Sequence, residues 1–441
     1  MDPAQRTIEE LEHKLSELER TLVAINGGGS PARIVDEALP EGAAPAAKAQ
    51  EVARFRERLE RVSADLTREY DALVGPISSA PVPDTISFAR GAPSLDIVDV
   101  EGLRAAAAAA FENDPGGTTA YGTAVGYGRL RQWIADRHGV EVERVLVTNG
   151  SMQADAFLFG ELVTAGDDVV VERPTYDRTL KSLRQRGAQI HAVELAADGV
   201  DTAALAELLA GGTVRPTLAH IIPNFQNPAG YTLSLAKRRE LLELAREHDF
   251  VVFEDDPYVD LRFTGESMPT MLSLDGDRVV YASSFSKTVC PGIRVGYLVG
   301  PRPLIRAITD TATGTYISPN MVAQSIVYEF CASGAIDRSI ERVRTALARR
   351  ARTLATSLQS ALPEARFVEP EGGYFMWVTL PEGTRVADLE RAANELGVAI
   401  VKGTDFVLDG GENTLRLAYS GVNEAEIEEG VARLAHAYRS L

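Results

Sequence analysis

Two regions with helical spacing of apolar residues open the chain. In residues 1–25 the apolar positions recur at alternating steps of three and four, with charged side chains between them, which is a heptad pattern that predicts a helix. These apolar positions are Ile8, Leu11, Leu15, Leu18, Leu22 and Ile25. Such a helix either lies alone against the body of the protein, or self-associates or docks to a partner. The spacing leaves both readings open.

A linker separates this helix from the second one. Residues 26–31 read Asn-Gly-Gly-Gly-Ser-Pro, and an Ala/Pro/Gly-rich segment continues to about residue 47, which predicts a flexible connection. Residues 47–73 then return to helical spacing, with an apolar face suited to packing on the body of the protein. We therefore assign residues 1–47 to the heptad helix and linker, and 48–100 to an N-terminal arm of a smaller domain.

Beyond a proline-rich turn at residues 81–83, short β-rich runs alternate with helical ones, which predicts strands joined by helices. The predicted strands are Val145–Thr148, Asp168–Glu172, Gln189–Val193, Leu218–Ile222, Phe250–Glu254, Val279–Ala282 and Val295–Val299. Seven such strands predict an α/β fold with a mainly parallel sheet covered on both faces. We assign residues 101–322 to this large domain and 323–441 to a smaller α+β domain.

Composition narrows the class of protein. The 441 residues are 45% hydrophobic and 24% charged, which is ordinary for a globular enzyme of two domains. A net charge of −18 opposes broad attraction to nucleic acid or to an anionic membrane. The two cysteines, Cys290 and Cys331, are too few for a disulfide framework and lack metal-ligand spacing. Without a signal pattern or a membrane-length apolar stretch, we expect a cytoplasmic protein.

One lysine has an unusual setting. Lys287 follows an apolar run and two serines, and Pro-Gly and an arginine come soon after it. This setting suits a buried amine that forms a Schiff base with an aldehyde cofactor. Ser284, Ser286 and Arg294 would then hold an anion beside it, such as the phosphate of that cofactor. Ser-x-Ser-Lys also occurs by chance, so the stretch alone leaves the chemistry open.

Polar residues also follow other predicted strands, where open α/β sheets bind ligands. Ser151 begins a helix and either helps to cradle a phosphate or belongs to a common turn. Tyr176 either stacks on a flat ring or is a core or rim tyrosine. Asn227 either donates to a ring oxygen or lies in a surface turn. The carboxylates of residues 254–256 need a cation if buried, and a protonated pyridine nitrogen is one.

Eight motifs in the order typical of one family connect these positions. They are residues 86–93, 121–126, 227–230 (Asn-Pro-Ala-Gly), 255–258 (Asp-Asp-Pro-Tyr), 284–288 (Ser-Phe-Ser-Lys-Thr), 291–297 (Pro-Gly-Ile-Arg-Val-Gly-Tyr), 371–377 and 415–418. From residue 86 onward the chain resembles class I/II aminotransferases of the 2-aminoadipate or kynurenine type. The resemblance implies fold type I, with a large and a small domain, and pyridoxal 5'-phosphate as cofactor.

The resemblance also implies the residues that surround the cofactor. Lys287 would form the internal aldimine and shuttle protons, Asp255 would pair with the pyridine nitrogen, and Tyr258 would bind the phenolic oxygen. The full implied set is Ser151, Met152, Gln153, Tyr176, Asn227, Asp255, Tyr258, Ser284, Ser286, Lys287, Arg294 and, from the neighbouring subunit of a homodimer, Tyr121.

On the substrate side, the resemblance implies that Arg416 grips the α-carboxylate of the amino acid, with Asn227 nearby. Arg90, beside Gly91 in the segment that lines the substrate end, stands where the aminoadipate-type enzymes usually have a small residue. It either binds a second anionic group of the substrate or faces solvent. Tyr374 is more polar than the usual residue at its position, so the side-chain specificity stays open.

The implied reaction is transamination of an L-α-amino acid to its 2-oxo acid. The same cofactor residues also serve elimination, replacement or cyclisation at the β or γ position, for example on substrates like S-adenosylmethionine. Aminotransferase-like domains are also fused to DNA-binding winged helices in regulators. The acidic charge and the absence of a helix-turn-helix pattern before residue 86 argue against that third reading.

Overall fold

The computed structural model describes residues 85–441. The predicted heptad helix and linker of residues 1–47, with their proposed self-association or partner docking, lie outside the described residues. The predicted helix of residues 47–73 does so too, so these assignments stay predictions.

Strands occur in both halves of the described chain. In order they are β1 (Ile86–Ser87), β2 (Val145–Thr148), β3 (Asp168–Arg173), β4 (Gln189–Ala196), β5 (Gly199–Val200), β6 (Pro216–Ile221), β7 (Val251–Asp255), β8 (Val279–Ser284), β9 (Gly296–Val299), β10 (Arg366–Phe367), β11 (Phe375–Thr379), β12 (Val398–Ala399), β13 (Val401–Lys402) and β14 (Thr414–Ala418).

Helices alternate with most of these strands. In order they are α1 (Val100–Asn113), α2 (Pro115–Thr119), α3 (Gly128–His138), α4 (Ser151–Leu162), α5 (Asp177–Gln185), α6 (Thr202–Ala210), α7 (Leu235–Glu247), α8 (Met271–Leu274), α9 (Arg302–Tyr316), α10 (Met321–Ala332), α11 (Ala335–Ala361), α12 (Val386–Glu395) and α13 (Glu424–Arg439). None of the helices between residues 85 and 441 has the length and apolar character needed to cross a membrane.

The large sheet has the strand order β2-β9-β8-β7-β6-β3-β4-β5. Strands β8, β7, β6, β3 and β4 pair in parallel, whereas β9 is antiparallel to both of its neighbours and β5 is antiparallel to β4. The prediction of a mainly parallel α/β sheet is therefore confirmed, and all seven predicted strands are present. The eighth strand, β5, was missed because two residues are too short to show a repeating pattern.

Both faces of this sheet are buried, which explains the continuous apolar runs of its strands. Val145 and Val147 of β2 pack in one hydrophobic cluster, and Leu146 between them packs in another on the opposite face. Val252 and Phe253 of β7 divide between the same two clusters. Alternate side chains of each strand thus pack against a layer of helices on each face of the sheet.

A third hydrophobic cluster belongs to the C-terminal region. It packs α11, α12 and α13 against the antiparallel sheet β10-β11-β14-β13, and it includes Ile86 and Phe88 from the start of the described chain. We predicted that the smaller domain begins at residue 323. Helix α10, however, packs its apolar face into the core of the large sheet. Helical spacing shows that a helix has an apolar face but does not show which core that face contacts.

The topology determines where polar side chains meet. The carboxyl ends of parallel strands lie at one edge of a sheet, so the residues after β2, β3, β6, β7 and β8 gather there. Strand β9 runs in the opposite direction, so the segment that precedes it reaches the same edge. This edge therefore collects side chains from six separate segments.

Candidate active site

A cavity of about 140 Å³ lies at this edge, and we call it the first cavity. Its wall combines residues that follow five different strands with Arg294, which precedes β9. The lining residues are Ser151, Met152, Asp155, Tyr176, Ile222, Asn227, Asp255, Pro257, Tyr258, Ser284, Ser286, Lys287 and Arg294. The structure thus brings together most of the residues predicted to surround a cofactor.

Lys287 lies three residues beyond the end of β8. Its Nζ donates a hydrogen bond to the carbonyl of Gly91 at 2.8 Å and lies 5.6 Å from the centre of the Tyr258 ring. Burial is the main cause that lowers the pKa of Lys287 to about 8; the charges of Arg416 and Arg294 lower it further, and that of Asp255 opposes them. A large fraction of this amine is therefore neutral, and nucleophilic, at mildly alkaline pH.

One end of the first cavity is built to hold an anion. Ser151 is the first residue of α4, and the N-cap before it is Gly150, which has no side chain to cap the helix amides. Gly150 has a φ of 86°, and a Cβ there would collide with Nη2 of Arg294. Nη1 of Arg294 donates to Oγ of Ser286 at 3.3 Å. A helix start, hydroxyl groups and a guanidinium together favour a phosphate group.

The other end carries a carboxylate. Asp255 ends β7, and its side chain is buried. Its Oδ2 lies 3.4 Å from Nε2 of His220, whereas its Oδ1 is buried without a hydrogen-bond partner among the described residues. A buried carboxylate with a free oxygen is costly unless a donor or a cation binds to it. This end therefore suits a protonated ring nitrogen.

Asp155 is a lining residue that the sequence reasoning missed. It follows Ser151 by four residues and so lies one helical turn below it on the same face of α4. The sequence signal was weak, because Glu161 of the same helix is an exposed carboxylate and nothing in the sequence distinguishes Asp155 from it. Asp155 is buried and lines the same cavity as Asp255, so two carboxyl groups lie close together there.

A second cavity of about 330 Å³ adjoins the first. Its lining residues are Ala89, Gly91, Tyr176, Asp177, Arg178, Asn227, Tyr258, Lys287, Phe375, Val401, Phe406 and Arg416. Four of these side chains, those of Tyr176, Asn227, Tyr258 and Lys287, also line the first cavity. The two cavities are therefore contiguous, with the lysine at their boundary.

Arg416 of β14 is held firmly in the wall of the second cavity. Its Nη1 donates to Oδ1 of Asn227 at 3.0 Å, and its Nη2 donates to the carbonyl of Ala89 at 2.7 Å. Its guanidinium lies 4.4 Å from the ring centre of Phe375 and 4.8 Å from that of Phe406. Such a fixed guanidinium with remaining N–H donors is suited to a carboxylate.

Four predicted site residues line neither cavity. Tyr121 is 88% exposed and Arg90 is also exposed. Gln153 accepts a hydrogen bond from the backbone amide of Asn149 through its Oε1, so it stabilises the loop before α4. Tyr374 is fully buried, and its hydroxyl donates to the main-chain carbonyl of Lys287 at 3.0 Å, so it helps to fix the backbone of that residue.

Several residues of the second cavity carried no sequence signal. Asp177 and Arg178 follow Tyr176 directly, whereas Val401 and Phe406 come from the distant C-terminal region. Their side chains resemble those of any strand or turn. Only the packing of the C-terminal sheet against the strand ends brings them to one cavity.

Comparison with known proteins agrees with this geometry. Residues 83–434 match the sequence profile of the family "Aminotransferase class I and II". A 2-aminoadipate transaminase of Thermus thermophilus is 34% identical over 365 residues, which span 81% of this chain and 91% of that protein.

Two solved structures are similar over almost their whole length. The α-aminoadipate aminotransferase of Thermus thermophilus, complexed with N-(5'-phosphopyridoxyl)-L-leucine, has a TM-score of 0.78 and 32% identity, and covers 85% of this chain and 98% of its own. The kynurenine aminotransferase of Pyrococcus horikoshii, in complex with PMP, has a TM-score of 0.78 and 32% identity over 84% of this chain and 94% of its own.

The chemistry of the first cavity fits the cofactor of these enzymes. Pyridoxal phosphate carries an aldehyde that reacts with amines, a phosphate and a ring nitrogen that binds a proton. The cavity offers a buried amine whose pKa is lowered to about 8, an anion site at a helix start, and a carboxylate with an unpaired oxygen. The chain therefore belongs to the class I and II aminotransferases and is a pyridoxal phosphate-dependent aminotransferase.

Proposed function

We propose that the amino acid substrate binds in the second cavity with its α-carboxylate on Arg416 and its α-carbon beside Lys287. The observation that carries this assignment is the shared wall, because the lysine borders both cavities. The α-carboxylate would form a charge-assisted pair with the guanidinium. Phe375 and Phe406 keep that guanidinium in place from both sides.

The cofactor would be held along the whole first cavity. Its phosphate would bind to Ser151, the Met152 amide, Ser284, Ser286 and Arg294, its ring nitrogen to Asp255, its phenolic oxygen to Tyr258 and Asn227, and its ring face to Tyr176. Oδ1 of Asn227 already accepts from Arg416, which leaves the Nδ2 donors of its amide for the phenolic oxygen. When bound, pyridoxal phosphate supplies the carbon that takes up the amino group and a ring that withdraws electrons.

The residues of this chain then perform the proton transfer. The Nζ of Lys287 takes the proton from the α-carbon of the amino acid and returns it on the cofactor side. Its lowered pKa of about 8 favours this role, because a base works best when its pKa lies near the working pH. Arg416 fixes the α-carbon near the amine, and the enclosing rings limit the access of water.

We also propose that the active site is completed by a second copy of the chain. Tyr121 is 88% exposed and Ile317, with a positive φ of 63°, is 63% exposed, so both offer apolar surface to a partner. In this arrangement Tyr121 would reach the phosphate of the neighbouring subunit. Mixing an inactive Tyr121→Ala chain with an inactive Lys287→Ala chain would then restore activity, since some sites would combine two intact residues. No recovery in proven mixed dimers would contradict the shared site.

Transamination can be distinguished from the other reactions of this scaffold. We expect that incubation with a panel of L-amino acids converts bound pyridoxal phosphate to pyridoxamine phosphate and releases the 2-oxo acid, both followed by mass spectrometry. The panel should include substrates with good leaving groups, such as S-adenosylmethionine. Loss of a leaving group without pyridoxamine phosphate would contradict transamination and support elimination or replacement.

The side chain of the substrate is a separate matter. The walls beside Arg416 combine aromatic rings with a charged pair, in which Nε of Arg178 lies 3.4 Å from Oδ2 of Asp177. Arg90 does not line this cavity, which favours its reading as a solvent-facing residue.

For the location, the free thiols of Cys290 and Cys331 support our proposal of a cytoplasmic enzyme.

A further inference from the structure

Asp155 is a second carboxyl group at the Asp255 end of the first cavity. It is only 6% exposed, it lines the cavity, and its Oδ1 is buried without a hydrogen-bond partner in residues 85–441. On the same face of its helix, Leu158 offers no polar group, and the Ser151 hydroxyl one turn away is assigned to the phosphate. None of the roles assigned above uses this carboxyl group.

An ionised Asp155 would be unfavourable in this place. The described residues form no ion pair with it, and burial together with the negative charge of Asp255 raises its pKa well above the usual range. The amides at a helix start stabilise an anion only within the first turn. Asp155 is the fifth residue of α4 and lies beyond that turn, so it gains little from them. Burial without a partner therefore favours the neutral form of Asp155, which offers one O–H donor.

Asp255 is the acceptor that matches this donor. Its Oδ1 has no partner among the described residues, whereas its Oδ2 lies near His220. The ionisable groups of the described residues that interact with the two carboxyl groups are His220 on β6, Glu172 on β3, Tyr176 after β3, Tyr258 after β7 and Lys287 after β8. Two unpaired charges side by side in a buried site are unfavourable, so a hydrogen bond between one neutral and one charged carboxyl group is the favoured arrangement.

We propose that Asp155 is a positioning residue whose neutral carboxyl group donates a hydrogen bond to Oδ1 of Asp255 and so holds Asp255 in place for the ring nitrogen of the cofactor. The inference rests on the proposed function for the identity of that cation. One ring cation is balanced by one carboxylate, so a second buried anion would again be unpaired. The neutral form of Asp155 thus suits the loaded enzyme as well as the cofactor-free protein.

Two substitutions separate a neutral donor from a charged carboxylate. Asp155→Asn keeps the shape and an N–H donor without charge, whereas Asp155→Leu removes the donor. In the leucine variant Oδ1 of Asp255 would lose this donor and its fixed orientation toward the ring. We expect affinity for pyridoxal phosphate close to that of the wild type in the asparagine variant and roughly tenfold or more weaker in the leucine variant.

The affinity is measured by titrating the cofactor-free, full-length chain with pyridoxal phosphate near neutral pH and following protein fluorescence. If the asparagine variant binds as weakly as the leucine variant, Asp155 acts through its charge and the proposal is wrong. If the leucine variant binds as tightly as the wild type, no donor is needed and the proposal is also wrong. Failure of the wild type itself to bind would instead contradict the proposed function.

Infrared spectroscopy tests the proton directly and does not depend on the leucine variant folding. We expect the carbonyl band of a neutral carboxylic acid in the wild type near neutral pH, with part of it lost in Asp155→Asn. Glu172→Gln is the matched control for the share of this band that comes from another buried carboxyl group. Burial raises the pKa of Glu172 to about 8, and Glu172 lines neither cavity. If Asp155→Asn leaves the band unchanged, Asp155 is ionised and the inference is overturned.

Discussion

The two cavities of this enzyme are built in different ways. The first is lined by residues from the segments that meet at one edge of the large sheet, so the topology of that sheet brings them together. The second takes residues 89–91, 177–178 and 401–416 from three distant parts of the chain. Because the first depends on one sheet and the second on the packing of two sheets, we infer that cofactor chemistry is the more constrained feature and substrate choice the more variable one.

Lys287 lies where the two cavities meet, so its loss has the largest expected effect. Lys287→Ala removes the amine that moves the proton, and we expect kcat/KM to fall by roughly four orders of magnitude or more. The measurement is the rate of 2-oxo acid formation, with thermal unfolding as a check on folding. A variant that keeps substantial turnover would contradict the role of Lys287.

Asp255 tests the first cavity alone. Asp255→Ala leaves the ring cation without its buried partner, and because breaking a buried pair costs about 3–5 kcal/mol, we expect kcat to fall by about a hundredfold or more. Glu172→Gln is the matched control, since Glu172 is equally buried but lines neither cavity. Equal losses in the two variants would show a general effect of buried carboxyl groups rather than a role of Asp255.

Arg416 tests the second cavity alone. Arg416→Met removes the guanidinium proposed to bind the α-carboxylate, and we expect KM to rise roughly thirtyfold or more, because truncating a buried charge pair costs about 2–5 kcal/mol. Arg178→Met serves as control, because this arginine lines the same cavity but its side chain is 56% exposed. If affinity for pyridoxal phosphate falls as much as affinity for the amino acid, the separation between the cavities fails.

The smallest predicted effect concerns the coupling between the cavities. The pKa of Lys287 is lowered to about 8, so its neutral, reactive fraction increases as pH rises. The rate of pyridoxal phosphate uptake should therefore rise roughly fivefold from pH 7 to pH 8 and level off above pH 9. Since the charge of Arg416 lowers this pKa, Arg416→Met should move the profile to higher pH. A profile unchanged by that substitution would contradict the coupling.

The difference between the cavities also explains what sequence reasoning could reach. Polar residues directly after apolar strands, such as Ser151, Asp255 and Lys287, are visible because the strand pattern changes abruptly there. Asp155 lies inside a helix, where its carboxyl group looks like a surface residue until the helix is placed on the sheet. The second cavity depends on tertiary packing, and in it Arg416 was reached only through the family resemblance.

The central claim is that Lys287 is the amine that binds the cofactor covalently. The most direct measurement is to load the full-length chain with pyridoxal phosphate, reduce it with borohydride, digest it and locate the adduct by mass spectrometry. We expect one reduced adduct on the peptide that contains Lys287, and no adduct on that peptide when an amino acid substrate is added first and allowed to react fully. A stable adduct on a different lysine, or none on this peptide, would contradict the assignment of the first cavity.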